Sequence, residues 1–202
     1  TLQILLSSNA YSQDFAFKAI QTILIKNGGD PLMRDAALSA LDNRESALLN
    51  HLLQERDWQS ASDGKKIFLE QLASIILKRR NPKEVAQFLE TLATRSGWQK
   101  SVLIEGASLE IKTSTLPLIG LSAKPTYLDE ETFQILEKGF TWPGKKKVKT
   151  ENITVSKLDE KGMKQFAAGR QAYLSYCAGC HGADGTGMKR FAPPLEGSDW
   201  VT

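Results

Sequence analysis

The stretch Asn27-Gly28-Gly29-Asp30-Pro31-Leu32-Met33-Arg34-Asp35-Ala36-Ala37-Leu38 sets a helix stop directly against a helix start. Two adjacent glycines after an asparagine supply the left-handed backbone that closes a helix. An aspartate followed by proline supplies a side-chain cap and a first helical residue with its φ already fixed. Upstream, Phe15, Ala19, Ile20, Ile23 and Leu24 recur at helical spacing and predict one apolar face. Downstream, Met33, Ala37, Ala40 and Leu41 predict the next.

The same pattern continues along the chain. Leu48, Leu49, Leu52 and Leu53 mark a third helix, and Phe68, Leu72, Ile75 and Ile76 a fourth after Ser62-Asp63-Gly64. A fifth opens on Asn81-Pro82 with Val85, Phe88, Leu89 and Leu92 behind it, and a sixth runs from Trp98 with Val102, Leu103 and Ala107. Taken in pairs, the helix starts at 14, 45 and 82 advance by 31 and then 37 residues. That period suits stacked helix hairpins, each needing its neighbour to cover its apolar stripe. Asp30-Pro31, followed by Arg34, resembles a HEAT-type repeat, in which an Asp-Pro start and a following Arg recur at about these positions. The resemblance implies a HEAT-like array over residues 1–139; a plain helical bundle is the alternative. Either way the expected class is all-α.

Composition agrees with a folded chain: of 202 residues, 41% are hydrophobic and 24% charged, which excludes a disordered or low-complexity polymer. No apolar run reaches the roughly 20 residues of a membrane helix, because Leu69–Leu77 is bounded by charge at Lys78–Arg80. A start at Thr1 without methionine or leader is expected of a mature or excised piece. Residues 1–139 hold 16 Lys/Arg against 17 Asp/Glu, and residues 158–202 hold 5 against 5. The excess sits in 140–157, where Lys145, Lys146, Lys147, Lys149 and Lys157 face Glu151 alone. So short a basic segment, with no aromatic interleaving, reads as a solvated linker, and no nucleic-acid partner is expected.

From Thr113 the helical period breaks. Thr113–Pro125 is irregular, Asp129–Lys138 predicts a short helix, and Phe140-Thr141-Trp142-Pro143-Gly144 a rigid turn. Glu151–Val155 reads as a brief strand or extended linker, and the domain boundary is expected between 140 and 157.

Cys177-Ala178-Gly179-Cys180-His181 is Cys-x-x-Cys-His, the attachment signal of c-type haem. Two thiols three positions apart on a helical turn can each form a thioether with one vinyl group, and the adjacent imidazole becomes the proximal iron ligand. Small residues at Ala178 and Gly179 let the backbone pass close to the macrocycle. A structural zinc site needs four ligands, yet the chain has only two cysteines and one further histidine, His51. A thioredoxin-like pair would follow a strand, and here a helix precedes it, with Met163, Phe166, Arg170, Tyr173 and Cys177 at spacings of three and four. Gly169 lies in that stripe, where a missing side chain suits a close helix crossing. Gly182, Gly185 and Gly187 predict a loop with positive φ at one or more positions. Asp184 within it reads as a turn former rather than a calcium ligand.

Residues 158–202 resemble the N-terminal half of a class I cytochrome c domain. The likeness rests on the helix with Gly169 and Tyr173, on Cys177-x-x-Cys180-His181-Gly182, and on Ala192-Pro193-Pro194-Leu195. It implies one covalent haem c held by Cys177 and Cys180, with His181 as metal ligand and Tyr173 in the cofactor-binding set. It also implies that the Pro193 carbonyl accepts the imidazole Nδ1 proton and that Leu195 packs on the macrocycle. The distal methionine of that family lies well downstream; Met188 follows His181 too closely, and Met33 and Met163 read as core residues. The haem domain is therefore expected to be cut short, its sixth ligand absent, supplied by another segment or replaced by water.

The order of helical repeats, Phe-Thr-Trp-Pro-Gly linker and cytochrome c also resembles the C-terminal half of large secreted bacterial proteins. Those often begin with a propeller like that of quinone-dependent sugar dehydrogenases. This second resemblance implies that any dehydrogenase activity would lie in a missing N-terminal propeller. With its haem, the chain itself is expected to be an electron carrier rather than a catalyst, with no catalytic residues. It would lie in the periplasm or on the outer-membrane surface of a Gram-negative bacterium, between a dehydrogenase donor and a cytochrome or oxidase acceptor. The alternatives are a protein-binding scaffold whose haem is structural or ligand-sensing, and a module of a larger periplasmic sugar or alcohol dehydrogenase.

Overall fold

The structure, a computed structural model, describes residues 2–7, 10–114, 116–145, 158–182, 185, 187 and 192–195, without the side chains of Leu2 and Leu6. It is mostly helical. Helices α1 (Leu2–Ser7), α2 (Gln13–Asn27), α3 (Pro31–Ser39), α4 (Glu45–Gln54), α5 (Asp63–Lys78), α6 (Pro82–Thr94) and α7 (Gly97–Thr113) follow one another. After them come α8 (Glu130–Leu136), α9 (Glu160–Tyr176) and α10 (Ala178–His181). Among the described residues the strands are a pair of two-residue segments, β1 (Ile119–Gly120) and β2 (Phe140–Thr141). Two compact units result: Thr1–Glu110 with Pro125–Lys138, and Ile111–Lys124 with Gly139–Thr202.

In the first unit the expected caps form. Asp30 accepts the Leu32 amide at 2.9 Å, and the Asn81 side chain accepts those of Lys83 and Glu84 at 3.1 and 3.5 Å. Helix α2 packs on α3, α4 and α5, α4 on α5 and α6, and α5 on α6, while α1 lies on α2 and α3. Between them Leu48, Leu52, Trp58, Phe68, Leu72, Ile76, Val85, Leu89 and Leu103 are wholly buried, each large side chain contributing about 1.5–3 kcal/mol. Arg34 is drawn into this unit, its Nη1 donating to the Gly28 carbonyl at 2.6 Å.

Three expectations change. Gly28 has φ −64° and Gly29 is not among the residues of positive φ, so no left-handed closure ends α2. The glycine instead lets backbone meet backbone: a Cβ on Gly64, at the start of α5, would fall 2.9 Å from the Gly29 nitrogen. The left-handed turn comes later, at Asp42 and Asn43 with φ 42° and 70°, between α3 and α4. The buried face of α2 is also rotated from the expected one. Ala16 and Phe17 are inside with Ile20, Ile23 and Leu24, whereas Phe15 is 52% exposed and meets Tyr11 in a tilted ring contact with centroids 4.9 Å apart. Finally, Met163 is 44% exposed and so no core residue; Met33 is half-buried.

In the second unit β1 and β2 run parallel, Ile119 opposite Phe140 and Gly120 opposite Thr141, extended by Leu121 N–H to Thr141 O at 2.8 Å. Ile119 and Phe140 are buried. Gly139 has no room for a Cβ, which would meet the Ile111 side chain. The turn at Trp142–Gly144 has Gly144 at φ +83°. Lys145 lies 4.4 Å over the Trp142 ring and donates to Phe140 O at 2.7 Å. Lys146, Lys147, Lys149 and Lys157, like Glu151–Val155, lie outside the described residues. Helix α9 is capped by Asp159, whose carboxylate accepts the Gly162 amide at 2.7 Å, and none of its residues is buried.

Candidate functional site

The end of α9 runs into the motif without a break. Cys177 N–H donates to Tyr173 O at 2.8 Å, and the Cys177 carbonyl accepts the amides of Cys180 and His181 at 3.1 and 2.9 Å. Gly182 N–H closes the turn on Ala178 O at 3.0 Å. Cys177, Cys180 and His181 therefore sit on one helical turn. Both thiols are free, Cys177 half-buried and Cys180 exposed. Ala178 is buried, while a Cβ at Gly179 would meet nothing within 4 Å.

After His181 the chain reverses. Gly182, Gly185 and Gly187 all have positive φ, at 81°, 79° and 77°. Gly182 combines this with ψ 158°, a region open essentially to glycine alone. The reversal is tied by Gly187 N–H to His181 O at 2.7 Å, by Leu195 N–H to Gly185 O at 2.7 Å, and by the Tyr173 hydroxyl, which donates to Gly182 O. Gly187 is the point of closest return: a Cβ there would lie 2.6 Å from the Pro193 carbonyl carbon and 2.6 Å from the Pro194 nitrogen. Only a residue without a side chain lets 192–195 come back over it.

That return places the Pro193 carbonyl 2.9 Å from His181 Nδ1. A carbonyl can only accept, so the proton is assigned to Nδ1, and in the neutral ring Nε2 carries the lone pair. The turn presents two sulfur nucleophiles and one ligating nitrogen whose orientation is set from behind. Tyr173, Cys177, Cys180, His181, Pro193 and Leu195 are thus gathered by hydrogen bonds within a 23-residue stretch, Tyr173 to Leu195. Leu195 is half-buried.

Other residues singled out in the sequence are placed differently. A Cβ at Gly169 would meet nothing within 4 Å, so no helix among the described residues crosses there. Asp184 and Met188 lie outside the described residues. His51 belongs to the first unit, its Nε2 3.1 Å from Gln21 Oε1 and its ring 5.6 Å from that of Phe17. Among the described residues no group of three or more His, Cys, Asp or Glu is placed to hold a metal ion, and no helix is long and apolar enough to cross a membrane. The bond from Tyr173 to Gly182 was not legible in the sequence, since it depends on the backbone angles of Gly182. Comparison with protein-family models, with curated proteins and with solved structures gives no significant match to this chain.

Proposed function

We propose that the turn from Cys177 to His181 holds one covalent haem c and that the protein carries electrons. The observation that carries this reading is the bond between His181 Nδ1 and Pro193 O beside two free thiols on the same turn. The donor set fits the group. Cys177 and Cys180 would hold it, one thioether from each sulfur. His181 Nε2 is the nitrogen left for iron, and the open face at Gly179 leaves room beside the turn. When bound, haem supplies a one-electron iron couple.

The protein's own part is to orient. Pro193 holds the imidazole in one tautomer and raises its basicity. Gly187 admits the segment that carries Pro193. Leu195 supplies an apolar side chain on the same segment. The donor is proposed to be a dehydrogenase and the acceptor a cytochrome or oxidase, in the periplasm or at the outer-membrane surface of a Gram-negative bacterium.

The helices of the first unit are read as a HEAT-like array serving as scaffold or docking surface. What supports this is the order of packing: α2 meets α4 and α4 meets α6, while α2 pairs with α3 and α4 with α5. The buried Arg34, reaching back to the end of the preceding helix, agrees with it.

The test is the visible spectrum and intact mass of the full chain, made in a host that attaches haem to exported proteins. One added haem and a sharp α-band on reduction are expected, with the band lost or displaced in His181→Ala. An unmodified chain with both thiols free overturns the reading.

A further inference from the structure

We propose that Tyr173 is a positioning residue for the His181 imidazole, acting through the carbonyl of Gly182. This role rests on the haem reading of the turn and gives the tyrosine hydroxyl a task within it. Gly182 follows the ligand directly, and its backbone angles, φ 81° and ψ 158°, swing its carbonyl out of the helical direction. There it accepts the Tyr173 hydroxyl from the last turn of α9. Gly182 is buried, so water is poorly placed to replace that donor. Its other partner, the Gly185 amide, stands at a longer 3.3 Å.

From this pinned point the chain runs through two further closures, Gly187 N–H to His181 O and Leu195 N–H to Gly185 O, before Pro193 reaches Nδ1. The hydroxyl thus ties α9 to the loop carrying the acceptor of the imidazole proton. Without it the Pro193 carbonyl is held less firmly. The Nδ1–H bond then weakens, the imidazole becomes a poorer donor, and ferric iron is stabilised less.

The experiment is Tyr173→Phe in the full haem-loaded chain, with Tyr176→Phe as control, because Tyr176 lies on the same turn of α9 and is 86% exposed. Two quantities are read: the midpoint potential, and amide exchange at Gly187 and Leu195. Positioning predicts a higher potential and about tenfold faster exchange in Tyr173→Phe, the loss of roughly one hydrogen bond, with neither change in Tyr176→Phe. Unchanged exchange overturns the proposal. Faster exchange with an unmoved potential overturns it as well, since Tyr173 is then a brace for the loop alone. A wild-type chain that takes up no haem defeats the haem reading instead. In that case the nitrogen chemical shifts of His181 in the haem-free chain replace the potential. Loss of the Nδ1-protonated tautomer in Tyr173→Phe supports the positioning role, and its retention overturns it.

Discussion

Gly187 and Gly169 are both glycines near the motif, and the structure gives them opposite consequences. Gly187 has φ +77° and would press a Cβ onto the backbone of Pro193 and Pro194. Gly187→Ala should destabilise the return of 192–195 by roughly 1–3 kcal/mol, seen as faster amide exchange at Leu195 and a smaller fraction of haem-loaded chain. Gly169 sits in the middle of α9 with open space where its side chain would be. Gly169→Ala should therefore stabilise α9 by up to about 1 kcal/mol, read from the helical content of the folded chain on heating. A loss of stability there would mean that another segment crosses the helix at that point. At this scale the cysteines and histidine were legible because their chemistry is written in adjacent positions. The three glycines of the loop were legible as turn residues, but what each admits depends on where Pro193 and Tyr173 end up in space.

Among the elements, the helix starts carry the clearest signal and the strand pair almost none. Asn81 accepts two amides at the head of α6, and Asn81→Ala should cost about 1 kcal/mol in urea unfolding. At α8 the cap is also an ion pair. Hydrogen bonds from Lys100, from the Thr132 amide and from the Thr132 hydroxyl hold the Asp129 carboxyl well below the usual carboxylate range. A lowered folded-state value means that this contribution is present above the ordinary carboxylate pKa of about 3.9 and fades as pH falls toward the folded value. Asp129→Asn should lower stability at neutral pH, and its gap from the wild type should narrow steadily as pH falls below about 4, read from urea unfolding at a series of acid pH values. The caps could be read because each is local, a side chain reaching amides two or three residues on. The rotation of α2 could not. Phe15 and Ala19 satisfy the helical period as well as Ala16 and Phe17 do, and only packing on α3, α4 and α5 chooses between them. The pairing of Ile119 with Phe140 was equally hidden, since two residues are too few to show alternation and the partner lies about twenty positions away.

For the whole molecule, what the chain buries differs sharply between its two units. In the first, leucines and aromatics of α2 and of α4 to α7 are buried, with Ala36 and Ala37 of α3. In the second, α9 is a 17-residue helix with no buried residue, presenting Met163 and Phe166 at 44% and 47% exposure. Helices of that length draw most of their stability from a packed face, so α9 should open far more readily than the core helices α2–α7. Within the described helices, trypsin added to the folded chain should cut after Lys161, Lys164 or Arg170 well before it cuts inside α2–α7. Helix α9 can therefore serve as a built-in footprint: whichever group or protein comes to lie along it will announce itself as slower digestion at those three bonds.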